Sequence, residues 1–268
     1  MAHQGHAHVV GLTGAPGVGK STMTSALIAS YREQGLRVAV LAVDPSSPFS
    51  GGAVLGDRVR MQNHATDAGV FIRSMATRGH LGGLAAAAPQ ALRVLDACGF
   101  DVVLLETVGV GQSEVEVVGQ ADTVLVLLAP GMGDGVQVAK AGILEIADVF
   151  VINKADRDGV PATTRDLRGM LALNGGGEDA WVPPIVKTVA TTGEGVQDVV
   201  AAVHAHREWS RSSGDLRERR LQRLQREIEG IALDLVRDRL GAARGLAVQV
   251  LDGEIDPYHA ARVLTEGF

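Results

Sequence analysis

The run Gly14-Ala15-Pro16-Gly17-Val18-Gly19-Lys20-Ser21 limits what this chain can fold into more than any other stretch. It fits the phosphate-binding loop pattern G-x-x-x-x-G-K-[ST]. The flanks agree. Residues 9–12 form a short apolar run that reads as a buried strand, and residues 21–32 alternate small, apolar and polar side chains at helical spacing. Strand, glycine turn and helix bring successive backbone N–H groups and the positive end of a helix to one place, which suits phosphate oxygens. In this pattern Thr13 to Thr22 forms the cradle, Lys20 reaches the β- and γ-phosphates, and the Ser21 hydroxyl holds Mg²⁺.

Strand and helix patterns alternate downstream. Residues 37–43, 69–75, 101–106, 122–129, 148–153 and 185–189 are apolar, β-branched runs. Helical spacing is read over 57–65, 81–98 (with Pro89 as a candidate kink), 114–120, 136–146, 161–173 and 196–209. This alternation predicts an α/β fold of the P-loop NTPase kind, a doubly wound and mainly parallel sheet flanked by helices. With 46% hydrophobic residues, 3% aromatics and 34 glycines, the chain has the small and aliphatic side chains that close helix-on-sheet layers need.

Ser212-Ser213-Gly214 reads as a hinge. Beyond it, Leu216, Leu221, Leu224, Ile228, Ile231, Leu235 and Leu240 recur at spacings of three to five, an amphipathic helix over 215–240. Its apolar stripe needs cover, from a second copy or from the chain's own domain. The expected division is a nucleotide domain over 1–209 and a C-terminal helical arm over 210–268, with a last short helix over 257–264.

A net charge of −6 argues against a general nucleic-acid binder, since only residues 217–226 are locally basic. No apolar run approaches the roughly 18–20 residues of a membrane span. The single Cys98 excludes an intrachain disulfide, and the first residues lack a signal-peptide pattern, so a cytoplasmic protein is expected. His3, His6 and His8 read as a tag remnant or loose terminus in preference to a metal site.

Asn153-Lys154-Ala155-Asp156 follows the sixth strand run and matches the guanine-reading N-K-x-D motif. Asp156 would accept hydrogen bonds from guanine N1–H and its exocyclic amine, which adenine cannot provide. Leaving that carboxylate unpaired is what rejects ATP. Lys154 would lie along the base and Asn153 would brace the neighbouring loops. Ala190 and Thr191, after the last strand run, stand where a base-contacting loop is expected, although Ala190-Thr191-Thr192-Gly193 lacks the usual Ser-Ala order.

Glu106-Thr107-Val108-Gly109 takes the place of the D-x-x-G motif, with Glu for Asp. A carboxylate there supports Mg²⁺, and the Gly109 amide can sense a γ-phosphate. Ser21, Glu106 and Asp44 offer hard oxygens from three strand ends, with Asp57 as a further candidate. For Asp44 a helix or turn cap is the alternative, nearly as well supported as the metal role. Val110 stands where many GTPases carry a water-orienting Gln, and Gln112 lies two residues on. Gln112 either substitutes or is an ordinary polar residue at a helix start. Slow unaided hydrolysis is therefore expected, with Lys20, Glu106 and Gln112 as the candidate catalytic residues.

Residues 13–22 (TGAPGVGKST), 44–60 (DPSSPFSGGAVLGDRVR), 106–114 (ETVGVGQSE) and 153–156 together resemble the methylmalonyl-CoA mutase-associated GTPases of the MeaB/ArgK type, and the similarity runs over nearly the whole chain. The resemblance implies a G-protein chaperone that converts GTP to GDP. Such proteins bind a cobalamin-dependent acyl-CoA mutase, gate its cofactor loading and protect it from inactivation. It also implies a homodimer built through C-terminal helices. Segments 46–60 and 108–114, glycine-bearing and beside the γ-phosphate, are the expected switches. Family members usually carry a helical segment before the first strand. Here the strand starts almost at once, which reads as a trimmed or short member, and no function of that segment carries over.

Three rivals are set against this reading. One is an ATP-dependent kinase or ATPase linked to lysine, arginine and ornithine transport, a name given to some ArgK-type proteins. The second is a metal-delivery GTPase, which wants Cys or His clusters that Cys98, His64, His80 and His204 do not form in sequence. The third is a scaffold that binds nucleotide without turnover.

Overall fold

In the computed structural model the described residues are 6–45, 64, 66–77, 83–107, 119–131, 146–173, 180–240 and 243–265. Among them, seven strands form one all-parallel sheet: β1 (His8–Thr13), β2 (Val38–Pro45), β3 (Val70–Thr77), β4 (Val102–Thr107), β5 (Thr123–Leu128), β6 (Val149–Asn153) and β7 (Ile185–Thr188). Their spatial order is β3-β2-β4-β1-β5-β6-β7. Among the described residues the helices are α1 (Lys20–Glu33), α2 (Gly83–Ala97), α3 (Val160–Leu173), α4 (Val196–Ser213), α5 (Asp215–Leu240), α6 (Arg244–Leu251) and α7 (Pro257–Thr265); the helices expected over 57–65, 114–120 and 136–146 lie outside them, save residues 64, 119, 120 and 146. The doubly wound parallel fold predicted above is the one formed. Helix α2 runs through Pro89.

Apolar side chains in the central strands alternate between two cores, as they must where both faces are covered. Val10, Leu12, Val38, Val40, Leu104, Leu125, Leu127, Val149 and Val151 face one way, toward Met23, Leu27, Ile28 and Tyr31 of α1 and Val196, Val199 and Val203 of α4. Leu41, Val103, Leu105, Val126, Phe150 and Ile152 face the other way, toward Leu95 of α2 and Val160 and Leu167 of α3. Burying both faces of the five inner strands holds their carboxyl ends in a fixed row, and the phosphate loop and the motifs lie along that row.

The amino edge of the sheet carries a buried ionic network. Asp122 is 0% exposed and Asp148 3%. Asp122 accepts from Val9 N at 3.1 Å, from both Nε and Nη2 of Arg220, and from Arg223. Asp148 accepts from Val124 N at 2.8 Å and from both Nη atoms of Arg219 at 3.0 and 2.9 Å, and His206 Nε2 stands 3.2 Å from its Oδ1. Burial pushes both carboxyls up, but the arginines, with His206 beside Asp148 and His8 beside Asp122, outweigh it and hold both below the usual carboxylate range.

His8 corrects the reading of the N-terminal histidines as a loose terminus. It opens β1, is 2% exposed, and its Nε2 lies 2.9 Å from Thr123 Oγ1, which in turn meets His206 Nδ1 at 2.8 Å. Burial pushes its imidazole down to about 3, outweighing the upward pull of Asp122.

The hinge expected at 212–214 is the C-cap of α4, where Gly214 takes φ 84°. Contacts divide the chain into two compact units, residues 1–223 and 224–268, so the first turns of α5, with Arg219, Arg220 and Arg223, belong to the first. In the second unit α6 and α7 pack on each other. Asp256 caps α7 by accepting from Tyr258 N at 2.8 Å and His259 N at 3.0 Å, ahead of Pro257 at the first helical position. No helix among the described residues is long and apolar enough to cross a membrane.

Candidate nucleotide-binding site

The phosphate-loop residues connect β1 to α1, and β1 lies between β4 and β5 at the point where the strand order reverses. Crevices at such points, outside the carboxyl ends of the strands, are where open α/β sheets bind ligands. Two glycines make the loop possible. Gly14 takes φ 142°, and a Cβ there would stand 2.3 Å from Leu127 O of β5. Gly19 takes φ 96° as the N-cap of α1, and a Cβ there would stand 2.4 Å from Asn153 Nδ2. Only glycine fits either position.

Helix α1 begins at Lys20 with no acidic residue in its first turn and no side-chain cap from Gly19, so the positive end of its dipole favours an anion there. Lys20 is 8% exposed, and its ammonium donates to Gly14 O and to Ala15 O, the latter at 3.3 Å. Thr13 is buried at the end of β1, whereas Pro16, Gly17 and Thr22 are exposed. Val18 is buried, and its N–H donates to Ala15 O at 3.4 Å, closing the turn.

Glu106, one residue before the end of β4, lies in register with Leu12 of β1 and is 0% exposed. Ser21 Oγ donates to its Oε1 at 2.7 Å and Thr24 Oγ1 donates to its Oε2 at 2.7 Å. Beside Glu106, Thr107 Oγ1 donates to Leu12 O at 3.3 Å. A buried carboxylate and a serine hydroxyl in contact beside a phosphate loop form the hard-oxygen donor set that Mg²⁺ prefers, so these residues fit the ion. Asp44 stands at the carboxyl end of β2, paired with Ala76 of β3. Its side chain, together with Asp57, Gly109, Gln112 and segments 46–60 and 108–114, lies outside the described residues.

Asn153 ends β6, 2% exposed, and ties three segments together. Its Nδ2 donates to Val18 O at 2.8 Å, and its Oδ1 accepts from Thr188 Oγ1 at 3.2 Å and Ala190 N at 3.1 Å. Lys154 takes φ 57°, a left-handed conformation rare for a side-chain-bearing residue, and its Nζ donates to Gly17 O at 2.6 Å. The bond from Ala155 N to Thr188 O, at 2.9 Å, then turns the chain so that Asp156 is exposed. Ala190 is buried and Thr191 exposed at the end of β7. Gly195 closes that loop with φ 73°, close under Lys187 O.

The structure thus gathers Thr13 to Ser21, Glu106, Asn153, Lys154, Ala190 and Thr191 along one edge of the sheet. Thr24 is the site neighbour that sequence patterns miss. It lies one helical turn beyond Ser21 on the same face, a spacing that carries meaning only once β4 is known to lie beside β1.

The family profile described as "Methylmalonyl Co-A mutase-associated GTPase MeaB" matches residues 1–245. A Pyrococcus horikoshii protein named as a GTPase is 49% identical over 98% of this chain and 84% of its own. The Escherichia coli protein named GTPase ArgK is 39% identical over 83% of this chain and 68% of its own. A solved structure titled as an LAO/AO transport system kinase superposes with a TM-score of 0.69, at 30% identity, over 99% of this chain and 83% of that one. The chain therefore belongs to the MeaB family of methylmalonyl-CoA mutase-associated GTPases.

Proposed function

We propose that this protein is a GTP-binding and GTP-hydrolysing chaperone of a cobalamin-dependent acyl-CoA mutase, with methylmalonyl-CoA mutase the first candidate client. The family's description, as mutase-associated GTPases, supports the client. The observation that carries the guanine reading is the bracing of Asn153 onto both Val18 O and Ala190 N, with Lys154 Nζ on Gly17 O. Those bonds join the phosphate loop to the motif that precedes Asp156.

Residue roles follow. Asp156 reads the guanine edge, Lys154 lies along the base, and Ala190 and Thr191 line its far side. The backbone of residues 13–22 cradles the phosphates. Lys20 neutralises the charge that develops as the γ-phosphoryl leaves. Ser21, Glu106, Asp44 and Asp57 hold Mg²⁺, which when bound neutralises phosphate charge. Gly109 senses the γ-phosphate, and Gln112 or a group from the mutase orients the attacking water. Hydrolysis is slow until the mutase binds.

Residues 210–268 form the dimerisation arm of a cytoplasmic homodimer. Leu221, Leu224, Ile228, Ile231 and Leu235 of α5 are each at least 44% exposed and recur every three or four residues, a stripe of the kind a second copy covers.

Competition against a labelled guanine nucleotide tests the site. Unlabelled GDP should displace it at least a hundredfold more effectively than ADP, given the cost of leaving the Asp156 carboxylate unpaired. Equal displacement would overturn the guanine assignment and favour an ATP-dependent enzyme.

A further inference from the structure

Glu106 is gripped by two hydroxyls one helical turn apart on α1. Ser21 Oγ donates to Oε1 and Thr24 Oγ1 to Oε2, each at 2.7 Å, and neither Glu106 nor Thr24 is exposed at all. Thr24 Oγ1 also lies 3.1 Å from Lys20 O, the carbonyl one turn back in the helix. A hydroxyl has a single proton. The shorter, charge-assisted bond to the carboxylate takes it, so Thr24 commits its one donor to Glu106.

The consequence reaches Ser21. Its hydroxyl also has one proton and two lone pairs, and it can hold a cation only through a lone pair. Donating to Glu106 Oε1 directs that proton away from the cation, so that an oxygen lone pair and not the O–H is what the hydroxyl would turn to it. That arrangement requires the carboxylate to present Oε1 to Ser21. Thr24 secures this by holding Oε2. Without the Thr24 hydroxyl, Oε2 loses that buried, charge-assisted donor, and the presentation of Oε1 to Ser21 is no longer held from that side.

We propose that Thr24 is a positioning residue for divalent-cation binding, acting through Glu106 to set the orientation of the Ser21 hydroxyl. It touches neither nucleotide nor cation. The proposal rests on the nucleotide-site reading above, so its test separates the two.

The measurement is GDP affinity by calorimetry, in EDTA and across a Mg²⁺ titration, for the full chain and its variants. If Mg²⁺ does not strengthen GDP binding by the unmodified protein, the metal-site reading fails and the proposal falls with it. If Mg²⁺ does strengthen it, Thr24→Val keeps the shape and removes the hydroxyl. The ratio of Mg²⁺-bound to Mg²⁺-free affinity should then fall about tenfold, the size expected for one hydrogen bond to a charged group. The Mg²⁺ midpoint should rise by a similar factor. Thr24→Ser, which keeps the donor, should retain the ratio within about twofold, on the same hydrogen-bond arithmetic. Thr24→Ala gives the same readout should the valine variant not fold. A merely structural role would lower the melting temperature of Thr24→Val and leave the ratio unchanged. An unchanged ratio in the hydroxyl-free variants, or a ratio lost equally in Thr24→Ser, overturns the proposal while leaving the metal site standing.

Discussion

The side-chain amide of Asn153 donates to Val18 O at 2.8 Å, fastening the end of the sixth strand to the middle of the phosphate loop. The same side chain accepts from Ala190 N at 3.1 Å, so one residue joins three loops that are far apart in sequence. Asn153→Ala removes these two bonds and the one from Thr188 Oγ1, all inside a buried site. GDP affinity should fall between tenfold and a hundredfold, or about 1.4–3 kcal/mol. Calorimetric titration checks this, with thermal unfolding run alongside to confirm that the variant is folded.

Glu106 reaches Ser21 and Thr24 because it is a glutamate. Glu106→Asp shortens the side chain by one carbon–carbon bond, about 1.5 Å. The aspartate cannot keep two 2.7 Å contacts that lie a helical turn apart. Although Asp is the residue of the D-x-x-G motif, this variant should lose at least tenfold in the Mg²⁺-dependent part of its GDP affinity. Mg²⁺ titrations of GDP binding provide the check.

Arg223 and Asp122 form a buried pair, the arginine side chain 12% and the carboxylate 1% exposed. Arg223→Met leaves Asp122 short of a partner, although Arg220 remains. The cost should be about 2–3 kcal/mol of stability, below the value for a carboxylate stripped of every partner. By contrast Arg211 and Glu208 are 50% and 75% exposed and 3.8 Å apart. Arg211→Ala should cost less than about 0.5 kcal/mol. Urea unfolding of both variants compares them directly.

His8 gives the protein a pH dependence with a definite sign. Its imidazole is held at about 3 in the folded chain, mainly by burial. Unfolding releases it to the ordinary value of about 6.5. Between those values the unfolded state takes up a proton that the folded state refuses. The contribution of His8 is therefore fully present above about pH 6.5 and is lost as pH falls, by about 1.4 kcal/mol per pH unit. The depressed carboxyls of Asp122 and Asp148 act in the same direction at lower pH, below the usual carboxylate range. His8→Gln should lose about 1.6 kcal/mol less than the unmodified chain between pH 6.5 and 5. Urea unfolding at the two pH values measures the difference.

Sequence patterns made the carboxyl edge of the sheet legible. The phosphate loop, the apolar strand runs and N-K-x-D all declare themselves through local spacing, and the strands form within one or two residues of where those runs lie. Local spacing has no means of announcing the amino edge. Asp122 and Asp148 look like ordinary strand openings, and Arg219, Arg220 and Arg223 look like the solvated side of an amphipathic helix. They meet across intervals of 71 to 101 residues. His8 was hidden for a related reason. Polar residues before it suggest a free end, while its ring is held by Thr123, 115 positions away, whose hydroxyl also meets His206. Thr24 was masked differently, because a threonine in a helix has no pattern of its own and takes its meaning from the carboxylate that β4 brings beside it.

The most direct test of the whole account is the rate of GTP turnover by the purified protein, alone and with a cobalamin-dependent acyl-CoA mutase from the same source. A mutase chaperone turns GTP over slowly alone and at least tenfold faster when the mutase is added, with the two proteins eluting together on a sizing column. A rate unchanged by the mutase, with no complex on the column, would contradict the chaperone assignment and leave a GTPase with a different client.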